Sequence, residues 1–520
     1  MRKVRNSIFL SAVLSMALVS CYKDLSTEAT FEIPVIDISG PDEILHVSYG
    51  HELDVAVEVS QEGRTEEDFT YLWEIDMRPG SNGNRLWLGE ESSLKYKVAN
   101  TPTDSPYILT CTVTDKKTNL SQIKSWKVYV ASSLGEGLLV AYTRDGGLTS
   151  DLDLVAAKAI TYDYASEEPR YTRELYSFAN DGDKIEGKIN SMSPFVATGD
   201  ASYSENYIAV GTDRSIFLVD PLTYKVGRKD AEMFNIHETK SYETLRVFNA
   251  GSNMIGAVVD NQLFGAFAGI SSSYSPANIV ESVKHSFTRE NMAFAKLQQG
   301  GIALFSSEEG KFHYIPAWQI SQGAFTAHTF PLSFPLVGAE SVGTGCTKGS
   351  NSLVLSFVIK STDAKFHICT IDFYTSFEPA VTEYSLEGDG LEEAVSFAFC
   401  DNADIMYYAT PEKIYSVILS AGKASVTPLS WTPDSSDEKI CSIEQYSQAW
   451  VGTHNYSIGD YDFPLSTNRL QMIITTYNEK TGEGKIYLRP FNVSTGKFTF
   501  KSNGTFGGFG KITAITPTLR

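Results

Sequence analysis

A series of short apolar runs recurs from about residue 138 to the end of the chain, and it constrains the fold more than any other feature. The seven runs are residues 137–142, 207–212, 254–260, 301–305, 353–358, 405–409 and 471–476. They are separated by roughly 45 to 65 residues, and each is followed by a more polar stretch. Runs of this length between turn residues are typical of buried β-strands, and convincing long amphipathic helices are missing.

This spacing is the one that a β-propeller requires, with one apolar inner strand and polar outer strands in each four-stranded blade. About 380 residues at about 40 to 60 per blade predict six to eight blades, with seven or eight favoured. Residues 511–516 are expected to form a strand that completes the last blade. A β-helix or several stacked sandwiches are the alternatives. We therefore expect an all-β chain in which residues 138–520 form a large β-propeller.

The region before this series has the pattern of a small β-sandwich. Residues 53–59, 107–113 and 126–130 alternate between apolar and polar side chains, as half-buried strands do. About seven short strands in about 100 residues are typical of an immunoglobulin-like sandwich. We therefore assign residues 35–131 to a sandwich domain and the small residues 132–137 to a linker.

Two motifs in this region resemble a known family. Residues 71–76 (Tyr-Leu-Trp-Glu-Ile-Asp) and 107–115 (Tyr-Ile-Leu-Thr-Cys-Thr-Val-Thr-Asp) resemble the signature strands of PKD domains, which are immunoglobulin-like modules of surface proteins. The family usually continues the first motif with a Gly-Asp-Gly turn, whereas this chain has Met-Arg-Pro-Gly at 77–80. The resemblance implies an Ig/PKD-like β-sandwich in which Trp73 and Tyr107 are core residues.

The first 20 residues have the pattern of a signal peptide. Arg2, Lys3 and Arg5 precede an apolar stretch that ends in Leu-Val-Ser-Cys at 18–21. This ending resembles the bacterial lipobox, which implies cleavage before Cys21 and attachment of lipids to its thiol and new amino group. Residues 21–34 are then the lipidated cysteine and a tether. An ordinary secreted protein is the alternative interpretation.

Three features occur together in this order: the lipobox with Cys-Tyr-Lys-Asp at 21–24, the PKD-like module, and residues 136–154. This layout resembles that of the PKD-like family lipoproteins of Bacteroidetes. The resemblance implies a surface-exposed outer-membrane lipoprotein that is a non-catalytic accessory of a SusC/SusD-type nutrient uptake system. The implied partners are the membrane, reached through the lipid anchor, a SusC/SusD-like transporter complex, and a glycan or peptide ligand. A propeller enzyme (glycosidase, lyase or peptidase) and an adhesion or structural lipoprotein are the alternatives.

The charge of the chain argues against nucleic acid as a partner. The sequence has 63 acidic and 43 basic residues and a formal net charge of −20 at pH 7. Such a surface would repel a polyphosphate. No stretch after residue 21 approaches about 18 consecutive apolar residues, so no spanning helix is predicted there.

No motif of a catalytic or metal site is recognisable. The eight histidines are scattered singly, His-Glu-x-x-His and Gly-x-Ser-x-Gly are missing, and the glycine-rich residues 504–511 lack the spacing of a phosphate-binding loop. Acidic clusters occur at 145–153, 180–183 and 460–462, where solvated turns are expected and a structural Ca²⁺ ion is the alternative. We therefore predict no catalytic residue, no metal ligand and no cofactor.

Cysteine and tryptophan residues leave two questions open. Five cysteines follow Cys21 without Cys-x-x-Cys spacing, which favours buried thiols. One or two disulfide bonds among the last four stay open, namely Cys346, Cys369, Cys400 and Cys441. Three tryptophans in loop-like stretches are candidate ligand-binding residues, because exposed indole rings stack on sugars: Trp318, Trp431 and Trp450.

Replacing Cys21 tests the anchor directly. Cys21→Ala removes the thiol that would carry lipid, so the protein is expected to move from the membrane fraction to the soluble fraction, because stable anchoring takes more than one acyl chain. Fractionation and immunoblotting measure this, with Cys346→Ala as the control that stays with the membrane. Membrane retention of Cys21→Ala would contradict the assignment.

Overall fold

The computed structural model describes residues 35–49, 51–80, 84–100, 105–131, 136–161, 164, 166–198, 204–234, 242–251, 254–267, 278–279, 286–294, 301–316, 319–320, 324–347, 354–373, 378–448, 465–499 and 502–518. The chain divides into two compact units, Met1–Ala131 and Ser132–Arg520. In this part of the chain, no helix is long and apolar enough to cross a membrane.

The first unit is built on a five-stranded sheet in the order β2-β9-β8-β5-β6. Strands β2 and β9 are parallel, and the other neighbours are antiparallel. Two antiparallel ladders, β1–β4 and β3–β7, complete the unit. A short 3-10 helix spans Glu66–Asp68. The strands are β1 (Asp37–Ser39), β2 (Ile44–Ser48), β3 (Glu52–Ala56), β4 (Glu58–Ser60), β5 (Phe69–Asp76), β6 (Arg85–Gly89), β7 (Ser93–Lys97), β8 (Tyr107–Asp115) and β9 (Ser121–Ala131).

Two indole rings form the centre of this unit. Trp73 and Trp126 are fully buried and stack with their ring centroids 5.4 Å apart. Each N–H has a backbone acceptor, because Trp73 Nε1 donates to Glu91 O at 2.8 Å and Trp126 Nε1 donates to Pro41 O at 3.2 Å. The core positions of Trp73 and Tyr107 are confirmed by their burial. The predicted strand 53–59 is wrong in one respect, since β3 and β4 are separate and pair with different strands.

The second unit contains seven four-stranded antiparallel sheets in its described residues, numbered here as sheets 1 to 7. Sheet 1 has the order β38-β10-β11-β12, with the short β13 beside β11. Each later sheet is a meander of four consecutive strands, from β14–β17 in sheet 2 to β34–β37 in sheet 7. Sheets 5 and 6 are joined at their outer strands by the single pair Ser385 and Lys423.

The strands of sheets 1 to 4 are β10 (Leu138–Thr143), β11 (Thr149–Ala156), β12 (Arg170–Thr172), β13 (Ile185–Glu186), β14 (Ile189–Thr198), β15 (Ser204–Thr212), β16 (Ile216–Val219), β17 (Val226–Lys229), β18 (Thr244–Gly251), β19 (Met254–Val259), β20 (Gln262–Phe267), β21 (Asn278–Ile279), β22 (Met292–Phe294), β23 (Gly301–Ser306), β24 (Lys311–Pro316) and β25 (Thr326–His328). Helix α1 (Leu175–Ala179) and a 3-10 turn (Asp230–Met233) lie between them.

The strands of sheets 5 to 7, followed by the closing strand, are β26 (Glu340–Thr347), β27 (Val354–Lys360), β28 (Phe366–Asp372), β29 (Ala380–Leu386), β30 (Ser396–Phe399), β31 (Ile405–Ala409), β32 (Ile414–Ser420), β33 (Lys423–Pro428), β34 (Glu438–Gln445), β35 (Gln471–Asn478), β36 (Glu483–Pro490), β37 (Gly504–Phe509) and β38 (Lys511–Pro517).

The sheets are arranged in a ring around their first strands. The first strands β38, β14 and β18 contact one another in turn, as do β22, β26, β30 and β34. Sheets 3 and 4 meet through Phe248 and Phe294, whose ring centroids are 4.2 Å apart. The ring closes where β38 contacts β35 and β36 of sheet 7. Sequential four-stranded sheets around a common axis are the architecture of a β-propeller.

The apolar runs lie on the second strand of each sheet, not on the inner strand as the sequence pattern predicted. The seven runs correspond to β10, β15, β19, β23, β27, β31 and β35. A second strand has a strand on each side and a neighbouring sheet on each face, so its side chains are buried on both faces; β31, for example, is buried at every position. Some first strands have polar residues among the apolar ones, such as Asn190 and Ser191 on β14 and Thr344 on β26.

The position of the last strand also differs from the prediction. Residues 511–517 do form a strand, but β38 pairs with β10 and becomes the first strand of sheet 1 rather than a part of the last sheet. Apolar residues of sheets 1 and 7 pack together beside this closure, among them Tyr142, Ile473, Leu488 and Phe506. The two ends of the unit therefore complete one sheet.

Removing a side chain from this closing core is expected to destabilise the second unit. Leu488 is fully buried on β36, so Leu488→Ala should lower the free energy of unfolding by about 2–5 kcal/mol. Val493 is 42% exposed in a turn, and Val493→Ala should change it by no more than about 0.5 kcal/mol. Urea-induced unfolding measures both, and equal effects of the two variants would contradict this packing.

Candidate ligand site at the channel end

Polar side chains of the first strands hold neighbouring sheets together around the channel. Asn190 Nδ2 donates to Thr244 O at 3.1 Å, and Ser191 Oγ donates to Val247 O at 3.0 Å, so β14 is joined to β18. Thr344 Oγ1 of β26 donates to Met292 O of β22 at 2.7 Å. These side chains are already used in structural hydrogen bonds, so another group must provide any binding chemistry in the channel.

Arg289 lies at the end of the channel where the chain enters β22. Its Nη2 donates to Asn190 O of β14, and its own carbonyl accepts from Arg246 Nη1 of β18 at 3.3 Å. The adjacent Glu290 carbonyl accepts from Ser341 Oγ of β26. Residues of sheets 2, 3, 4 and 5 therefore meet around this one loop.

Arg246 is positioned by an aromatic wall. Its guanidinium carbon lies 4.3 Å from the ring centroid of Phe294, and Phe294 contacts Phe248. Phe248 occupies its place because residue 256 on the next strand is glycine: a Cβ there would lie 2.0 Å from the ring. The ring contacts hold the guanidinium plane of Arg246. We call Asn190, Arg246, Arg289 and Phe294 the arginine site.

The surrounding protein partly dehydrates both arginines of the site, which lowers the pKa of each guanidinium group. Arg246 is partly exposed and Arg289 is exposed, so water reaches both. Loss of hydration is nevertheless the largest cause that lowers the pKa of both guanidinium groups, and together with repulsion from Arg289 it brings the pKa of Arg246 to about 10. Both groups stay charged at neutral pH, surrounded by protein but open to solvent.

Neither arginine of the site forms a salt bridge with a carboxylate in the described part of the chain. Arginine salt bridges in the described residues include those of Arg64, Arg85, Arg173 and Arg469. The charges of Glu290 and Glu444 act on Arg246 from further away and raise its pKa. Glu444 lies on β34 of sheet 7, which is not a neighbour of sheet 3. Two guanidinium groups with free donors can bind an anion.

The three predicted tryptophans are not brought together by the described structure. Trp318 and Trp450 lie outside the described residues, as does Cys21. Trp431 is half-buried against the core between sheets 6 and 7. The edge of Tyr487 and the guanidinium of Arg489 contact its ring, with centroid distances of 5.2 and 5.5 Å. Its surroundings are those of a packing residue, and a ligand role for it stays a prediction.

The acidic cluster at 145–153 has structural hydrogen bonds. Asp145 accepts from Thr149, whose hydroxyl is the main cause that holds the pKa of this carboxyl far below its usual range. Asp151 is buried and accepts from Ser177 Oγ at 2.6 Å, and Asp153 is buried and paired with Arg173 at 2.6 Å. No group of three metal-ligating side chains occurs among the described residues. The third cluster, 460–462, lies outside them.

One histidine–carboxylate pair has the composition of a catalytic site but not its geometry. His367 Nδ1 lies 3.1 Å from Glu383 Oε1, and Ser333 donates to the same carboxylate. A nucleophilic serine must bond to the histidine, whereas here the glutamate lies between them. The other ring nitrogen, Nε2, is buried without a described partner, and Phe334 covers the ring at 3.8 Å. The pair fastens the Ser333 loop to β29.

A shallow groove of about 400 Å³ lies at the edge of sheet 5 and the loop that follows it. Its charged lining residues are Lys365, Glu387, Glu392 and Glu393. Glu392 is paired with Lys360, and Lys365 is paired with Asp363 at 2.7 Å. Ion pairs therefore involve two of these four residues, and the groove carries no ligand assignment.

No protein family and no curated protein matches this sequence. Solved structures with a similar course of the chain include a quinoprotein alcohol dehydrogenase-like protein of Bacteroides thetaiotaomicron. It is 14% identical over 92% of this chain and 96% of its own, with a TM-score of 0.45. AztD of Citrobacter koseri is 11% identical over 86% and 99%, with a TM-score of 0.37. The strand order defines this unit as a β-propeller.

Sequence reasoning missed the arginine site. Arg246 and Arg289 are 43 positions apart and belong to no motif, so their proximity depends on sheets 3 and 4 being neighbours. The one available signal is a pair of arginines at the first strands of consecutive sheets, with Arg246 on β18 and Arg289 just before β22. This signal can be recognised in the sequence only after the first strand of each sheet has been distinguished from the more apolar second strand.

The thiols of the second unit provide neither disulfide bonds nor an activated nucleophile. None of the five described cysteines forms a disulfide bond, and all but Cys441 are buried. Burial raises the pKa of the Cys369 thiol far above its ordinary value, and burial raises that of Cys111 in the first unit to about 12. Because only the thiolate reacts, these thiols are inert in the folded chain.

Alkylation is expected to follow this order. Iodoacetamide at pH 8 should modify Cys441 first and leave Cys111, Cys346, Cys369 and Cys400 unmodified until the protein is unfolded in urea, as read by peptide mass spectrometry. The unfolded sample is the control for intrinsic reactivity. Rapid native labelling of Cys369, or a Cys-to-Cys cross-linked peptide, would contradict the described burial.

Proposed function

We propose that this chain is a surface-exposed outer-membrane lipoprotein whose seven-bladed propeller binds a ligand at the arginine site, as a non-catalytic component of a SusC/SusD-type uptake system. The ligand is a glycan or a peptide. One observation carries the proposal: Arg246 and Arg289 meet at the channel end without a carboxylate partner among the described residues. The two guanidinium groups repel each other, and an anionic group of a ligand would offset that repulsion.

The anchor and the first unit complete the proposal. A lipid on Cys21 would hold the chain on the membrane, and the tether 21–34 with an Ig/PKD-like sandwich would act as a spacer. The seven apolar second strands and the seven described sheets support seven blades. The enzyme alternative has less support. In the described His367–Glu383 pair, the serine bonds to the glutamate and not to the histidine, and Phe334 covers the histidine ring.

Copurification tests this function. An affinity-tagged chain solubilised from its native outer membrane is expected to bring down a large β-barrel transporter and its partner lipoprotein, identified by mass spectrometry. The matched control is the Cys21→Ala chain, which should recover neither because it would not be held at the membrane. Recovery of the anchored chain alone, at the same yield, would contradict an accessory role in uptake.

A further inference from the structure

The two guanidinium groups of the arginine site have most of their hydrogen-bonding capacity unused. An arginine has five N–H donors in a planar fork. Within the described contacts, Arg246 uses one of them on Arg289 O, and Arg289 uses one on Asn190 O. Both side chains are accessible to solvent, so the remaining donors are available to water or to a ligand. A group that accepts from both forks at once would complete them.

The site is also held in place before any ligand arrives. Phe294 fixes the plane of Arg246, and hydrogen bonds to three first strands fix the loop of Arg289. Thr288 and Asn291 bond to each other across this loop, with Thr288 N 2.9 Å from Asn291 Oδ1 and Asn291 N 3.1 Å from Thr288 Oγ1. Binding therefore loses little side-chain entropy, which is a property of preorganised sites.

The charges around the pair limit how much negative charge a ligand can bring. The charge of Glu290, which is adjacent in sequence to Arg289, acts on both arginines, and the charge of Glu444 acts on Arg246. A phosphate or sulfate dianion would be repelled by both glutamates and by the acidic chain as a whole. A single carboxylate matches the fork geometry with half that charge.

We infer that the arginine site binds a carboxylate of the ligand, with Arg289 and Arg246 as its two donors. The inference rests on the proposed function for its ligand class, since uronic-acid glycans and peptides both carry carboxylates beside hydroxyl or N–H donors. Neutral glycans bring no carboxylate to the two forks, and sulfate or phosphate dianions bring twice the negative charge.

Isothermal titration of the full-length chain in detergent tests the inference with four probes. Methyl galacturonoside, which has one carboxylate, is compared with its methyl ester, and trialanine with its C-terminal amide, so that each pair differs by one carboxylate charge. We expect one free acid to bind and its uncharged counterpart to bind at least tenfold more weakly, because hydrogen bonds to charged groups are among the strong ones. Which acid binds distinguishes a glycan from a peptide source.

Substitutions assign the binding to the site. Arg289→Ala is expected to weaken binding of the free acid at least tenfold, with Arg289→Lys between it and the native chain, because lysine keeps the charge but not the fork. Arg246→Lys should also weaken binding. The matched control is Arg228→Ala on the outer strand β17, which removes the same charge and should leave binding unchanged.

Several results would overturn the inference: binding of neither acid at millimolar concentration, equal binding of acid and uncharged counterpart, equal binding of sodium sulfate, or an equal loss in Arg228→Ala. The two proposals fail separately. If Arg289→Ala loses the carboxylate but the chain still copurifies with a transporter, the uptake role is independent of this result. If the acid binds and no transporter is recovered, the carboxylate site stands and the uptake role falls.

Discussion

The pairing of β38 with β10 is the interaction on which the second unit depends. It brings strands from the two ends of a chain segment of nearly 400 residues into one sheet, and side chains of sheets 1 and 7 bury a common core beside it. Thr518 N also donates to Gly137 O at 2.9 Å. A ring of sheets without this closure would expose two apolar faces to water. Every position around the channel, including that of the arginine site, follows from the closed ring.

Charge is used in two different ways within this ring. Carboxylates such as Asp151 and Asp153 are buried and satisfied by local donors, so they stabilise the loops around sheet 1. Arg246 and Arg289 donate to backbone carbonyls but form no salt bridge with a carboxylate among the described residues. They lie where sheets 2, 3 and 4 converge. A buried carboxylate whose two oxygens both accept hydrogen bonds is a structural group, whereas a solvated guanidinium with unused donors can still donate hydrogen bonds to a ligand.

The strand rhythm was readable from the sequence because burial on both faces leaves a continuous apolar run, and the seven second strands are buried this way. Their position within each sheet was not readable, since an apolar run is compatible with any strand that has neighbours on both sides. The same limit applies to residues 53–59, where apolar alternation continues through a break between β3 and β4. Periodicity reports which face is buried, but not which strand lies alongside.

The amino-acid sequence by itself determined an all-β chain, a change of pattern near residue 131, the cores around Trp73 and Tyr107, and the expectation of a lipid anchor at Cys21. These are local properties, set by side-chain chemistry within a few residues. The closure by β38, the structural use of the acidic cluster at 145–153 and the meeting of Arg246 with Arg289 belong to the tertiary structure alone. Each depends on residues distant in the chain being placed side by side, and no local pattern encodes that distance.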